Sequence, residues 1–317
     1  MTTLMAKVIS RRDEATDVVS LALASANGEP LPAFTAGSHI DVHLGPGLVR
    51  QYSLCNGPLE TDCYRIAVLK EPAGRGGSLA VHERIRVGDA LEISAPRNLF
   101  PLAGEARRSV LIAGGIGITP ILSMARQLHH LGQDFALYYT SRDPSHTAFA
   151  NALQTSDFAE RVHVHHSATQ GRMDLAEAIG PFQEANHLYC CGPAGLLEAV
   201  RHTAASAGWP EANVHQEHFA ATALASDQDA AFDVVIASSG QVVRVDPGST
   251  VAEVLQRQGI PISLSCEQGV CGTCLTRVLE GDIDHRDLYL SPQEQAAQDQ
   301  FLPCCSRARS SRLVLEL

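Results

Sequence analysis

No run among the 317 residues approaches the apolar length, about eighteen residues, that a membrane span needs. The opening Met1-Thr2-Thr3-Leu4-Met5-Ala6-Lys7 has no apolar core of the kind a secretory signal carries. A cytoplasmic location is the expectation. Positive charge is scarce: 24 Lys and Arg stand against 35 Asp and Glu, a formal charge of −11. That balance argues against nucleic acid and anionic membrane as partners, and it permits steering toward a protein with a basic surface. Internal repeats and low-complexity segments are absent, and no heptad announces an interface. Cys55, Cys63, Cys190, Cys191 and Cys305 show no disulfide framework, in keeping with a reducing compartment. The remaining bulk, 45% hydrophobic and 19% charged, suits a soluble chain of two or three domains, each with its own core.

Three cysteines are concentrated in Leu264-Ser265-Cys266-Glu267-Gln268-Gly269-Val270-Cys271-Gly272-Thr273-Cys274, and Cys304 follows after a gap of twenty-nine residues. C-x4-C-x2-C with a distant fourth cysteine is the plant-type [2Fe–2S] pattern, in which four thiolates hold two irons. Gly269 and Gly272 let the backbone curl so that its N–H groups aim inward at sulfur. Two other readings stand beside it. Four cysteines also suit structural zinc, although zinc ligands usually come as tight C-x2–4-C pairs at both ends. A set of buried free thiols is the blandest alternative.

Residues 1–103 consist of short alternating segments, such as 18–23 and 64–69, separated by turns rich in Gly, Pro and Asn. They predict an antiparallel sheet domain closed as a barrel. Within it, Arg50-Gln51-Tyr52-Ser53-Leu54 puts a cation and an aromatic ring on one face of a strand, which is either a solvated edge or a ligand site. Gly74-Arg75-Gly76-Gly77-Ser78-Leu79 runs into the start of a helix, where backbone N–H groups can meet a phosphate; a plain flexible turn is the alternative.

From Arg108 buried strands alternate with helices, predicting an open, mostly parallel α/β sheet. Strands are expected at 109–113, 135–139, 162–165, 187–191 and 214–217, with a helix over 194–207. After the first strand comes Gly114-Gly115-Ile116-Gly117-Ile118-Thr119-Pro120, in which Thr119 can cap a helix with Pro120 at its first position. Pro120 takes the place of the last glycine of the Rossmann pattern. Cys190-Cys191-Gly192-Pro193 also ends a strand and starts a helix, at the edge where such sheets bind ligands; a small buried hydrophobe is the other reading of Cys191. A linker is expected at 220–229. A third domain of about ninety residues then opens with a hairpin (232–237 and 242–245) and a helix near 250–258.

Taken together, Arg50-Gln51-Tyr52-Ser53-Leu54-Cys55-Asn56, Gly74-Arg75-Gly76-Gly77-Ser78, the Gly114–Pro120 turn, Cys191-Gly192-Pro193 and Phe301-Leu302-Pro303-Cys304-Cys305-Ser306-Arg307-Ala308 resemble the phthalate dioxygenase reductase family over the whole chain. The resemblance implies an FMN-binding β-barrel domain (1–103), an NAD(H)-binding α/β parallel-sheet domain (104–225) and an α+β β-grasp ferredoxin domain (226–317). It implies that Tyr52 lies against the flavin, Ser53 near its reactive nitrogen and Arg50 toward its phosphate, with Gly76, Gly77 and Ser78 completing the phosphate cradle. Gly115, Gly117 and Thr119 would hold the pyrophosphate, while Cys191 and Gly192 would sit by the nicotinamide. Phe219, in Glu217-His218-Phe219, matches a position near the flavin. The metal ligands would be Cys266, Cys271, Cys274 and Cys304. Cys305 departs from the family, which usually has valine there.

The function so implied is hydride transfer from NADH to FMN, then single-electron steps through the [2Fe–2S] cluster to a terminal oxygenase of Rieske type. FMN is implied rather than FAD by the domain order, and a monomer is the family expectation. Arg142 could meet a 2′-phosphate and Asp143 a free ribose diol, so NADH against NADPH rests on the resemblance. A cytochrome P450 or other monooxygenase is an alternative acceptor, and a non-catalytic redox-sensing protein is an alternative of another class. Glu267, Gln268 and Val270 are read either as part of the partner's docking surface or as a solvated rim.

Overall fold

Alternating apolar residues build an antiparallel sheet at the start of the chain. Its strands are β1 (Thr3–Ala15), β2 (Val18–Ser25), β3 (Ser38–His43), β4 (Val49–Ser53), β5 (Tyr64–Leu69), β6 (Ala90–Ser94) and β7 (Arg97–Asn98), with α1 (Gly77–Arg84) between β5 and β6. The order is β4-β3-β6-β1-β2-β5, and β7 pairs with β3. The two outermost strands meet through a Leu54–Ile66 bridge, reinforced by Cys55 N donating to Arg65 O at 2.8 Å. This closure protects the sheet edges and encloses Val8, Leu21, Leu23, Ile40, Leu54 and Ile66, as a barrel requires.

The computed structural model describes residues 3–219 and 228–317. The expected linker at 220–229 lies outside them except for Gln228 and Asp229, and so does the expected boundary at 225.

Beyond the barrel the sheet is parallel. Strands β8 (Arg108–Gly114), β9 (Asp134–Ser141), β10 (Val162–His166), β11 (Asn186–Cys191) and β12 (Val214–Glu217) lie in the order β10-β9-β8-β11-β12. Val110, Leu111, Ile112 and Ala113 are buried on both faces, which is why this stretch reads as an unbroken apolar run. Helix α2 (Ile118–His130) follows β8 and α3 (Ala194–Ser206) follows β11. Strand order reverses between β8 and β11, so the turns after these two strands open on one crevice.

One apolar cluster contains Cys55, Ala67 and Phe100 of the barrel together with Leu111, Ile121 and Tyr139 of the parallel sheet. Two hydrogen bonds add direction to this packing: Ser123 Oγ donates to Asn56 O at 2.8 Å, and Arg126 Nη1 to Cys55 O at 3.0 Å. Helix α2 is thereby pinned to the chain just after β4. The barrel and the parallel sheet form one compact unit, Met1–Glu217, and His218–Leu317 forms a second.

In the second unit β13 (Phe232–Ile236) and β14 (Val242–Val245) form the expected hairpin, followed by α4 (Val251–Arg257). Thr250 and Glu253 close a capping box on that helix, and Val251, Val254 and Leu255 bury its inner face against Phe232, Val234 and Val245. Later come β15 (Thr276–Glu280), β16 (Ile283–Asp284), α5 (Pro292–Ala297), β17 (Gln300–Phe301), β18 (Arg307–Ala308) and β19 (Arg312–Leu315). The order β14-β13-β19-β15-β17, with β19 parallel to β13, is a mixed sheet wrapped on one main helix, the β-grasp arrangement. Among the described residues no helix is long and apolar enough to cross a membrane.

Candidate functional site

The Arg50 stem fills the space into which a Cβ on Gly77 would project, and its Nη2 donates to Arg75 O at 2.7 Å. The sequence-chosen arginine and glycine turn are therefore in contact. Gly76, at φ 78°, stands at the N-cap of α1 without a capping side chain, so the first N–H groups of that helix lack the usual side-chain acceptor. Ser78 Oγ instead bonds the preceding turn, accepting from Glu71 N at 3.0 Å. A guanidinium beside an uncapped helix start is chemistry that fits a phosphate. Tyr52 shares the strand face of Arg50 and packs against the barrel core, and burial raises its phenol pKa, so it stays protonated. Ser53 ends the strand and is buried.

The second group lies at the carboxyl ends of β8 and β11. Space for a Cβ on Gly117 is taken by the backbone of Cys191, and that on Gly114 by Leu196 and Pro193. Two turns thus touch backbone to backbone, and only glycine permits it. The helix starts at Ile118, earlier than the capping role given to Thr119 and Pro120 would have it. Thr119 Oγ1 donates to Ile116 O at 3.0 Å, so it ties the turn together from inside the first helical turn and caps nothing. Cys191 is fully buried, with Sγ 3.9 Å from Glu217 Oε2. Burial, then the Glu217 charge, holds the Cys191 thiol well above its ordinary pKa. Burial likewise pushes the half-buried Glu217 carboxyl up to about 8, against a smaller opposing effect of its contact with Cys191.

At the outer end of this crevice Asp143 Oδ1 accepts from Ser145 N, Ser145 Oγ and His146 Nδ1 at 2.9, 2.6 and 2.8 Å. Those bonds cap a short turn and occupy the oxygen. Arg142, weighed for a 2′-phosphate, has a side chain 75% exposed with Nε 3.9 Å from Asp143 Oδ2. Phe219 is 36% exposed, two residues beyond β12.

In the second unit Cys266, Cys274 and Cys304 are buried and Cys271 is partly so. Thiol–thiol interactions link Cys266 with Cys271 and Cys274 with Cys304, and Cys304 interacts with the adjacent Cys305 as well. Gln268 N donates to Cys266 Sγ at 3.3 Å, and positive φ at Glu267, Gly269 and Gly272 makes such inward aim possible. Among the described residues no three His, Cys, Asp or Glu side chains are grouped to hold one metal ion. Cys266 beside Cys271 and Cys274 beside Cys304 suit a binuclear cluster, two thiolates per iron, better than a tetrahedral single-zinc site. Tyr289 lies where a Cβ on Gly272 would go, and Cys305 Sγ is 2.5 Å from a Cβ on Gly269. Of the expected rim, Glu267, Gln268 and Val270 are half-buried, while Leu275, Leu288 and Tyr289 nearby are exposed.

One residue and one partnership escaped the sequence reading: Arg126, which ties α2 to the chain just after β4, and the approach of Glu217 to Cys191 across 26 residues of sequence. The alternation of 214–217 as a strand beside 187–191 was the only available signal for the last pair.

Comparison with known proteins agrees with this layout. Residues 234–309 match the family model of the 2Fe-2S iron–sulfur cluster binding domain, and residues 95–214 match the N-terminal domain of dimethylamine monooxygenase subunit DmmA-like proteins. Vanillate O-demethylase oxidoreductase of Pseudomonas putida is 51% identical over 98% of this chain and 99% of its own length. The structure of phthalate dioxygenase reductase, described as modular and built for electron transfer from pyridine nucleotides to [2Fe–2S], superposes with a TM-score of 0.82 at 40% identity, covering 99% of this chain and 98% of that one. An intact type IV self-sufficient cytochrome P450 monooxygenase gives a TM-score of 0.82 at 38% identity, covering 99% of this chain but 41% of that one. The chain belongs to the phthalate dioxygenase reductase family of oxidoreductases.

Proposed function

We propose that the protein is an NADH-dependent reductase that passes electrons through FMN and a [2Fe–2S] cluster to a separate Rieske-type oxygenase. The observation that carries this reading is the presence of the Arg50–Gly77 anion cradle and the glycine-packed crevice in one unit and of the cysteine cluster in the other. FMN, when bound, supplies the change from a two-electron hydride to single electrons, and the cluster supplies a one-electron carrier. Arg50 and the start of α1 bind the flavin phosphate, Tyr52 lines its ring and Ser53 stands near its reactive nitrogen. The turn from Gly115 to Thr119 holds the dinucleotide pyrophosphate. Cys191 and Gly192 position the nicotinamide, with Glu217 behind the thiol. Cys266, Cys271, Cys274 and Cys304 ligate the irons.

An anaerobic titration with NADH, followed by visible absorbance, tests the scheme: one flavin and one cluster take up about three electrons per chain. Uptake of two electrons without a bleaching iron–sulfur band would overturn it. A cytochrome P450 as acceptor is favoured by one observation, the match to part of a self-sufficient P450 monooxygenase chain. Reduction of an added P450, with no electron delivery to any Rieske oxygenase, would decide for that second reading.

A further inference from the structure

Strand β3 places His39 between two polar neighbours. Its register partners are Ser53 on β4 and Arg97 on β7, so all three side chains project from the same face. Leu54 N donates to Ser38 O at 2.8 Å, which makes the adjoining Ser38/Leu54 pair the hydrogen-bonded one. His39 and Ser53 are then a non-hydrogen-bonded pair, the kind whose Cα atoms lie about 4.5 Å apart and whose side chains approach most closely.

The His39 ring is 5% exposed, yet its enclosed Nε2 has no hydrogen-bond partner. Buried polar atoms are seldom left this way, because the hydration lost on folding is not replaced. The charged groups on its face are matched to others: Arg97 Nη2 lies 2.7 Å from Asp41 Oδ1, which also accepts from Gln51 Nε2 at 3.2 Å. Burial, then Arg97, holds His39 down at about 4 against the opposing pull of Asp41, so the imidazole is neutral near pH 7. A neutral imidazole offers one donor and one acceptor nitrogen and serves a hydroxyl in either direction.

We propose that His39 is a positioning residue for the flavin site, its Nε2 hydrogen-bonded to Ser53 Oγ when the flavin is bound, which fixes the hydroxyl against the flavin edge. The orphaned nitrogen is thus an unfilled half of the cofactor site. This inference rests on the flavin reading of Arg50, Tyr52 and Ser53.

The test compares wild type, His39→Leu, His39→Gln, Ser53→Ala and the double variant His39→Leu/Ser53→Ala. Three quantities are read: the bound-flavin absorbance spectrum, the stopped-flow rate of flavin reduction by NADH, and the thermal midpoint of the flavin-free protein. His39→Leu is expected to shift the spectrum and slow reduction about tenfold, the effect of one lost hydrogen bond. His39→Gln restores much of both, and the double variant is no slower than Ser53→Ala alone. The flavin-free midpoint of His39→Leu does not fall, because the leucine replaces an unserved polar group. Additive slowing in the double variant overturns the proposal, as does a lower flavin-free midpoint with unchanged spectrum and rate. A wild type that binds no flavin would remove the flavin reading and this inference together, whereas additivity in a flavin-bound wild type removes the inference alone.

Discussion

The carbonyl of Cys191 stands in the space a side chain on Gly117 would need, so the turn after β8 and the end of β11 are in direct backbone contact. Gly117 itself has φ −61°, so the restriction is one of room and not of backbone conformation. Gly117→Ala must push the two turns apart, at a cost of about 1–3 kcal/mol. Because both turns border the proposed nicotinamide site, kcat/KM for NADH is expected to fall about 10- to 100-fold. Steady-state kinetics beside a flavin and iron count checks this: loss of cofactor in place of loss of NADH efficiency would place the contact elsewhere.

The two adjacent cysteines near the C-terminus are expected to behave differently. Cys304 interacts with both Cys274 and Cys305, whereas Cys305, among the described residues, reaches no ligand thiol but Cys304 and its Sγ faces Gly269, 3.7 Å from Leu302 O. Cys305→Ser should therefore keep the cluster and Cys304→Ser should lose it. Iron content and visible absorbance of the purified variants decide, and the reverse pattern would exchange the assignment.

Glu217 gives a pH dependence with a defined sign. Its carboxyl is held at about 8 when folded against an ordinary 4.5, so the folded chain keeps a proton that the unfolded chain releases between those values. The contribution is present below about pH 4.5 and is lost as pH rises through 8. The thermal midpoint of the first unit is expected to decline across this window, and Glu217→Gln to flatten the decline. An equally steep curve in the variant would show that Glu217 is ionised in the folded protein.

Asp229 is the hub of an ionic network in the second unit. It receives Arg286 through two hydrogen bonds of 2.9 and 2.7 Å and lies 3.3 Å from Arg307 Nε. Arg307 is 2% exposed, sits over the Phe232 ring and also donates to Ser249 O and Ala230 O. Asp229→Ala leaves that buried cation without its carboxylate, a loss of about 3–5 kcal/mol. Thermal bleaching of the cluster should shift to lower temperature while flavin release keeps its midpoint. Equal shifts in both would contradict a local effect.

Beyond the order of strands and helices, what could be read of the candidate site was confined to single turns and loops. Cys266, Cys271 and Cys274 share one loop, and Gly76 and Gly77 adjoin one helix start, so their spacing along the chain carries their chemistry. The partnerships that hold the sites in place join distant segments: Arg126 with Cys55 across 71 residues, Arg286 with Asp229 across 57. Nothing local encodes such pairs, because they depend on which strands become neighbours. Thr119 shows the converse error. Its residue type suits a cap, but the helix begins at Ile118, two residues before Pro120, and the Thr119 hydroxyl bonds backward to Ile116.

The glycine seam is closed at Gly117 by the main chain of Cys191 and Gly192, and at Gly114 by Leu196 and Pro193. One end of the proposed nucleotide crevice is therefore held at Gly117 by the thickness of the main chain. In the proposed nucleotide site, choice between closely related dinucleotides would then fall to Arg142, whose exposed side chain lies 3.9 Å from Asp143 Oδ2.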